Sequence, residues 1–120
     1  MIICSNAEML DLLAKAIYLQ YPASQLYFAQ KIEVVFTKLE QHHPDIIILI
    51  PKEPDWDVTS LISKILSLEC RCAIILILQN SNEKNVSEFI DLGVKDILTL
   101  PINLELLLCR LAGLICLHKQ

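Results

Sequence analysis

The sequence predicts an α/β fold, a doubly wound parallel sheet of five strands, in a single domain. Short apolar runs alternate with amphipathic segments five times in 120 residues. Two of these runs, residues 46–50 and 73–78, are apolar at every position, which is typical of parallel strands covered by helices on both faces. No linker or low-complexity tract interrupts the pattern, so one domain over residues 1–120 is predicted.

The first half of the chain predicts three strands and two helices. Leu10, Leu13 and Ile17 recur at helical spacing in the first helix, and the second helix repeats the same pattern. Pro22 and Pro44 follow these two helices, as expected of a residue that cannot continue one. Strands are predicted at residues 2–4, 25–29 and 45–50, and helices at residues 8–20 and 32–42.

The second half begins with an acidic, proline-rich loop at residues 51–57. Trp56 in this loop is expected to fold back on its own domain rather than to anchor a partner. Thr59 is predicted to cap a helix that runs to about Glu69, and Gly93 to end the next one. The predicted elements are that first helix, a strand at 73–78, a helix that starts in the polar turn 80–82, a strand at 96–99 and a helix at 104–118.

Composition excludes several classes of protein. A hydrophobic content of 54% is too high for disorder, and a formal net charge of −4 gives no electrostatic footprint for nucleic acid. The N-terminus lacks the basic region of a signal peptide, and no uninterrupted apolar run could span a bilayer, so a cytoplasmic protein without membrane association is predicted. The five cysteines are interpreted as reduced thiols: Cys4, Cys70, Cys72, Cys109 and Cys116.

Ligand sites in such sheets lie at the carboxyl ends of the strands, and few reactive groups stand there. The two glycines, Gly93 and Gly113, follow no strand, so no nucleotide or flavin is expected. Cys70 and Cys72 lack the spacing of a metal site. The histidines lie only at positions 42, 43 and 118, which makes a nucleophile–base pair hard to build. No cofactor, no metal and no enzymatic activity are therefore expected.

Two segments carry a family resemblance. Residues 93–102, Gly-Val-Lys-Asp-Ile-Leu-Thr-Leu-Pro-Ile, resemble the signature Gly-Ala-Asp-Asp-Tyr-Leu-Thr-Lys-Pro-Phe of response-regulator receiver domains. Residues 44–50 resemble the strand that bears the phosphorylated aspartate, and Pro54 and Asp57 match the loop after it. The resemblance covers the whole chain and is strongest to the OmpR/PhoB branch. It implies the receiver (CheY/flavodoxin-like) fold and a cis peptide bond before Pro101.

The chain departs from this family at the positions that carry its chemistry. The acidic pair that holds Mg²⁺ is replaced by neutral residues, and the phosphorylated aspartate by a hydrocarbon, which cannot act as a nucleophile. The switch hydroxyl and the conserved lysine are also replaced by hydrocarbons, and the switch aromatic residue appears as Ile97. The degenerate phosphorylation-site positions are Ser5, Asn6, Ile50, Leu78 and Leu100.

Three of these replacements are aliphatic, and we expect Ile50, Leu78 and Leu100 to converge and fill the former pocket, which would stabilise one fixed conformation. The alternative is drift after loss of function, with no locked state. The resemblance further implies pairing through the fourth helix, fifth strand and fifth helix. The residues predicted in or near a homodimer interface are Val86, Phe89, Asp96, Leu106 and Arg110.

The last helix is apolar nearly all round, which predicts burial on more than one side. Its second apolar side packs either on a second copy or on a further C-terminal domain of the same protein. The resulting interpretation is a phosphorylation-independent receiver domain, the dimerising part of a transcriptional regulator that touches DNA only through a domain after Gln120. The alternative is a stand-alone pseudo-receiver that acts as a protein-interaction adaptor.

Overall fold

The computed structural model describes residues 1–53, 55–68, 71–79 and 83–118, with the side chains of residues 83, 84, 117 and 118 left aside. Within these residues, five strands alternate with five helices. The elements are β1 (Ile2–Cys4), α1 (Ala7–Gln20), β2 (Phe28–Ala29), α2 (Ile32–His42), β3 (Ile46–Ile50), α3 (Val58–Leu68), β4 (Ala73–Leu78), α4 (Glu83–Leu92), β5 (Asp96–Thr99) and α5 (Leu104–His118).

The strands form one parallel sheet in the order β2-β1-β3-β4-β5. In the register, Ile2 lies opposite Ile48 and Leu49 lies opposite Leu76. The strand order reverses between β1 and β3, and in open sheets of this kind the crevice for ligands lies at that point, beyond the carboxyl ends of the strands. The predicted fold class, a doubly wound parallel sheet of five strands, is confirmed.

Two hydrophobic cores cover the two faces of the sheet. On one face, α2, α3 and α4 pack on alternate residues of β3 and β4, with Ile47 and Ile74 fully buried. On the other face, α1 and α5 pack on the intervening residues, with Ile75 and Leu107 fully buried. Successive side chains of a strand point to opposite faces, so a strand with a helix layer on each side must be apolar at every position.

The predicted boundaries of the central strands agree with the structure to within one residue, but those of the edge strand do not. The strand predicted at residues 25–29 is paired only at Phe28 and Ala29. The last backbone bond of this pairing runs from the Ile2 N–H to the Tyr27 carbonyl, at 2.8 Å. Before it, the Tyr27 hydroxyl donates to the Gln25 side-chain oxygen at 2.8 Å. An edge strand has a partner on one side only, and short edge strands limit pairing with other chains.

Of the two predicted helix ends, the structure contradicts one and confirms the other. Helix α3 begins at Val58, and the Asp57 carboxylate accepts the Ser60 N–H at 3.1 Å, so Asp57 caps the helix and the prediction of Thr59 is wrong. Gly93 follows α4 with φ +119°, as predicted, a conformation that side-chain-bearing residues rarely adopt.

The Leu100–Pro101 bond is cis, as the family resemblance implied. Some sequence-based predictions fall outside the described residues: the family match at Pro54, the helix end at Glu69, the thiol of Cys70, the polar turn 80–82 and the chain end at Gln120.

Candidate functional site

The candidate site is the carboxyl edge, which we define as the residues that directly follow β1, β3, β4 and β5, together with the last residue of each strand. The backbone ties neighbouring strands together here, since the Leu100 N–H donates to the Leu78 carbonyl at 2.8 Å. A ligand at the strand-order reversal would contact the residues after β1 and β3 first. These are Ser5 and Asn6 after β1, and Pro51 after β3.

Ser5 and Asn6 stand where the resemblance places an acidic pair. Both are exposed, but Asn6 is committed to local structure: its side-chain oxygen accepts the Met9 N–H at 3.0 Å and caps α1. The Cys4 thiol just before them donates to the Asn6 carbonyl at 3.6 Å. Burial raises the pKa of that thiol, and the hydrogen bond partly opposes this effect, so Cys4 is a poorly reactive thiol rather than a nucleophile.

The aliphatic replacements are shielded but do not all converge. Ile50 is 5% exposed, Leu78 is 2% exposed and Leu100 is half-buried. Leu49 lies opposite Leu76 in the register, so Leu78 is in phase with Leu49 and not with Ile50. Ile50 and Leu100 consequently pack on the α1/α5 face and Leu78 on the opposite face. The prediction that one space receives all three side chains is therefore corrected: Ile50 and Leu100 pack on one face of the sheet and Leu78 on the other.

The acidic residues nearest this edge already have partners. The Glu53 carboxylate accepts the backbone N–H of Gln79 at 2.9 Å, Asp55 pairs with Lys52 at 3.4 Å, and Asp57 caps α3. Among the described residues, no group of three aspartate, glutamate, histidine or cysteine side chains could hold a metal ion. Each of these three carboxylates is therefore engaged in a local contact of its own.

A shallow groove of about 670 Å³, lined by both polar and apolar residues, lies at the carboxyl edge. Its walls include Ser5, Lys31, Lys52 and Trp56, from the ends of β1 and β2 and from the loop after β3. The indole of Trp56 is half-buried against the core of α2, α3 and α4, which confirms that it folds back on its own domain. Two ammonium groups, of Lys31 and Lys52, and one carboxylate, of Glu33, line this groove, whereas a metal site gathers several oxygen ligands.

The structure also brings together two of the residues that the resemblance assigned to dimerisation. Arg110 on α5 donates from Nε to Oδ2 of Asp96 on β5 at 3.1 Å. The other carboxylate oxygen of Asp96 accepts the Ile97 N–H at 2.9 Å. This ion pair joins α5 to the start of β5 within one chain, on a partly exposed surface.

The apolar residues that the resemblance assigns to the same surface differ in exposure. Leu106 is 39% exposed and Val86 is half-buried, so both present side chains to the outside. Phe89 is 8% exposed and packs in the core of α2, α3 and α4, so it would lie behind such a surface and not at its outer face. Its neighbour Ile90, which the sequence analysis did not name, is 45% exposed. We define the pairing surface as Val86, Ile90, Asp96, Leu106 and Arg110.

Comparison with known proteins adds the fold but no family membership. No protein-family model and no curated protein matches the sequence. Solved structures are similar in shape: the receiver domain of a DNA-binding response regulator from Colwellia psychrerythraea has a TM-score of 0.87 at 22% identity, over 95% of this chain and 94% of that one. A two-component response regulator from Clostridium difficile has a TM-score of 0.87 at 21% identity, with 99% and 96% covered.

A third similar structure is the CheY-like receiver domain protein from Methanospirillum hungatei, with a TM-score of 0.83 at 19% identity, over 98% of this chain and 94% of that one. At these sequence identities, the TM-scores establish a shared fold and nothing finer. The chain therefore has the CheY-like receiver (βα)5 fold. In the described residues, no helix is long and apolar enough to cross a membrane.

Proposed function

We propose that this domain is a response-regulator receiver module that works without phosphorylation and pairs with a second copy of itself through the pairing surface. The observation that carries the proposal is the burial of Ile50 at the end of β3, where the resemblance places the phosphorylated aspartate. A branched hydrocarbon there packs into the core of α1 and α5. The position that would switch a receiver on is in this chain part of the packing.

Phosphoryl transfer depends on charged groups and a metal ion positioned around the acceptor, and the positions that the resemblance assigns to this task carry no charge. Asn6 is a helix cap, and Ile50, Leu78 and Leu100 are hydrocarbons. The acids of the loop after β3 have other partners: Glu53 accepts the Gln79 N–H, Asp55 pairs with Lys52, and Asp57 caps α3. Signalling would then pass through assembly or partner binding rather than through a covalent modification.

Pairing is supported by the composition of the pairing surface. Leu106 and Ile90 are apolar and well exposed, while Asp96 and Arg110 supply charges of both signs beside them. An apolar centre with a charged border is the usual anatomy of a protein interface. In a transcriptional regulator of the OmpR/PhoB type, a domain after Gln120 would contact DNA, and pairing of the receivers would place two such domains on adjacent half-sites.

The first test is chemical. The purified 120-residue chain is incubated with acetyl phosphate and Mg²⁺, and its intact mass is measured beside a phosphorylation-competent receiver treated in the same way. We expect the mass of this chain to stay unchanged while the control gains a phosphoryl group. A phosphoryl adduct mapped to an aspartate of this chain would disprove phosphorylation independence.

The second test is of assembly. Replacement of Leu106 with glutamate places a charge in the apolar part of the pairing surface and should shift the chain from dimer to monomer in sedimentation equilibrium. Val34→Glu is a matched control, because Val34 is 36% exposed and Leu106 is 39% exposed, but Val34 lies on α2 at the other end of the sheet. A wild-type chain that sediments as a monomer, or an equal loss of dimer in both variants, would contradict the surface.

A further inference from the structure

A cavity lies at the opposite edge of the sheet from the candidate site. It has a volume of about 360 Å³ and opens at the amino ends of β1 and β3, between the end of α1 and the second half of α5. Aliphatic side chains form most of its inner wall, among them Ile17, Ile48, Leu111 and Ile115. This volume falls in the range of small-molecule sites, which are mostly apolar with a few placed polar groups.

Aromatic rings and one carboxylate lie at the mouth of the cavity. The rings of Tyr27 and His42 stack with centroids 3.9 Å apart and an angle of 12° between planes, and Tyr21 lines the same opening. Asp45 is exposed at the start of β3 and is the one acidic residue among the described residues of the lining. No lysine or arginine of the described chain lines it.

The backbone amine of Met1 also lines the cavity but adds little positive charge in alkaline solution. It donates to the Ile46 carbonyl at 2.7 Å. Desolvation by burial lowers the pKa of this amine to about 6, against smaller opposing effects of Cys72 and Asp45. The Asp45 carboxylate is the acidic group of the described lining that can balance a cation at the mouth.

We propose that this cavity binds a small aromatic amine, with the ring against the aliphatic wall and the ammonium group beside the Asp45 carboxylate. The apolar interior selects a flat hydrocarbon ring over a polar solute, because burial of apolar surface drives entry. The carboxylate selects a cation over a neutral or anionic analogue of the same shape. The tyrosine rings at the opening favour the same charge, since an aromatic face attracts cations.

The test uses three indole compounds of similar size and different charge: tryptamine, the alcohol tryptophol and indole-3-acetate. Each is titrated at pH 8 into the uniformly ¹⁵N-labelled 120-residue chain, with affinity read by calorimetry and location by amide chemical shifts. We expect tryptamine to bind about threefold to fivefold more tightly than tryptophol, as one solvent-exposed ion pair allows, and indole-3-acetate to bind most weakly. The largest shifts should fall on the amides of Ile48 and Leu111.

Two variants and a control sharpen this test. Asp45→Asn should remove the preference for tryptamine over tryptophol, while Asp91→Asn, which changes an exposed acid of α4 outside the cavity lining, should preserve it. Ile115→Trp should fill the cavity and lower the affinity for tryptophol at least tenfold. The variant spectra must keep the dispersion of the wild type, and if Ile115→Trp unfolds, Leu26→Trp from the facing loop replaces it.

Equal affinity for the three compounds, or chemical shifts that cluster at the carboxyl edge, would overturn the proposal. The outcome is independent of the proposed function, because the cavity contains none of the residues of the pairing surface or of the candidate site. A chain that dimerises but does not bind tryptamine would refute this inference alone.

Discussion

The two edges of the sheet differ in how completely they are closed. At the carboxyl edge, Ile50 and Leu78 are buried, and Glu53 and Asp57 are bound to backbone N–H groups. At the amino edge, a cavity of about 360 Å³ remains between α1 and α5. The difference teaches that packed side chains fill the position that the resemblance assigns to the phosphorylated aspartate, and that an open groove lined by Ser5 and Lys52 lies beside it. The more enclosed space lies at the amino edge.

The largest expected effect comes from restoring an acid to the closed edge. Ile50→Asp places a carboxylate among the aliphatic side chains that pack on the α1/α5 face. We expect a loss of about 3–5 kcal/mol in the free energy of unfolding, measured by urea denaturation. Ile50→Val, which removes one methylene, should cost only about 0.5–1.5 kcal/mol. An Ile50→Asp chain as stable as the wild type would mean that the edge is open.

The amino edge should show itself in the pH dependence of stability. Burial lowers the pKa of the Met1 amine from its ordinary value of 8.0 to about 6, so between these values the unfolded chain binds a proton that the folded chain does not. Stability therefore falls as pH drops from 8 to 6 and levels off below, by roughly 2–3 kcal/mol at most.

Urea denaturation of the chain that begins at Met1, at several pH values from 5.5 to about 8.5, measures this slope. The N-terminally acetylated chain serves as the control, because it has no amine to titrate and should lose this part of the pH dependence. A wild-type slope equal to that of the acetylated chain would show that the Met1 amine is exposed to solvent and that its pKa is not lowered by burial.

A smaller effect is expected from the helix cap at the carboxyl edge. Asp57→Ala removes the acceptor of the Ser60 N–H and should destabilise the chain by about 1 kcal/mol. Thr59→Ala, two residues further on, lies inside the first turn of α3 and should change the unfolding midpoint much less. If Thr59→Ala proved the more harmful of the two, the helix would begin later than Val58.

Sequence patterning predicted the central strands closely because their environment imposes a simple rule. Ile46–Ile50 and Ala73–Leu78 are covered on both faces, and only apolar residues satisfy that. The same rule made the edge strand too long at residues 25–29. Leu26 and Tyr27 are apolar because they pack against the two cores, although they lie outside β2. Local composition reports burial and does not say which element buries the residue.

The candidate site was predictable as a set of positions but not as an arrangement. The sequence shows which residues follow each strand, whereas the separation of Ile50 from Leu78 depends on the register of β3 against β4. The burial of Phe89 and the exposure of Ile90 depend on the rotation of α4 on the sheet. The cavity at the amino edge has no sequence signal, because it arises from the spacing between α1 and α5.

The contact between Glu53 and Gln79 joins two loops that are 26 residues apart in the chain. An amide that donates to a side chain exchanges its proton with solvent only while that hydrogen bond is broken. The exchange rate of the Gln79 amide therefore reports how often the loop after β3 separates from the end of β4. Its exchange rate, compared with that in Glu53→Gln, gives the free energy of that opening without unfolding the domain.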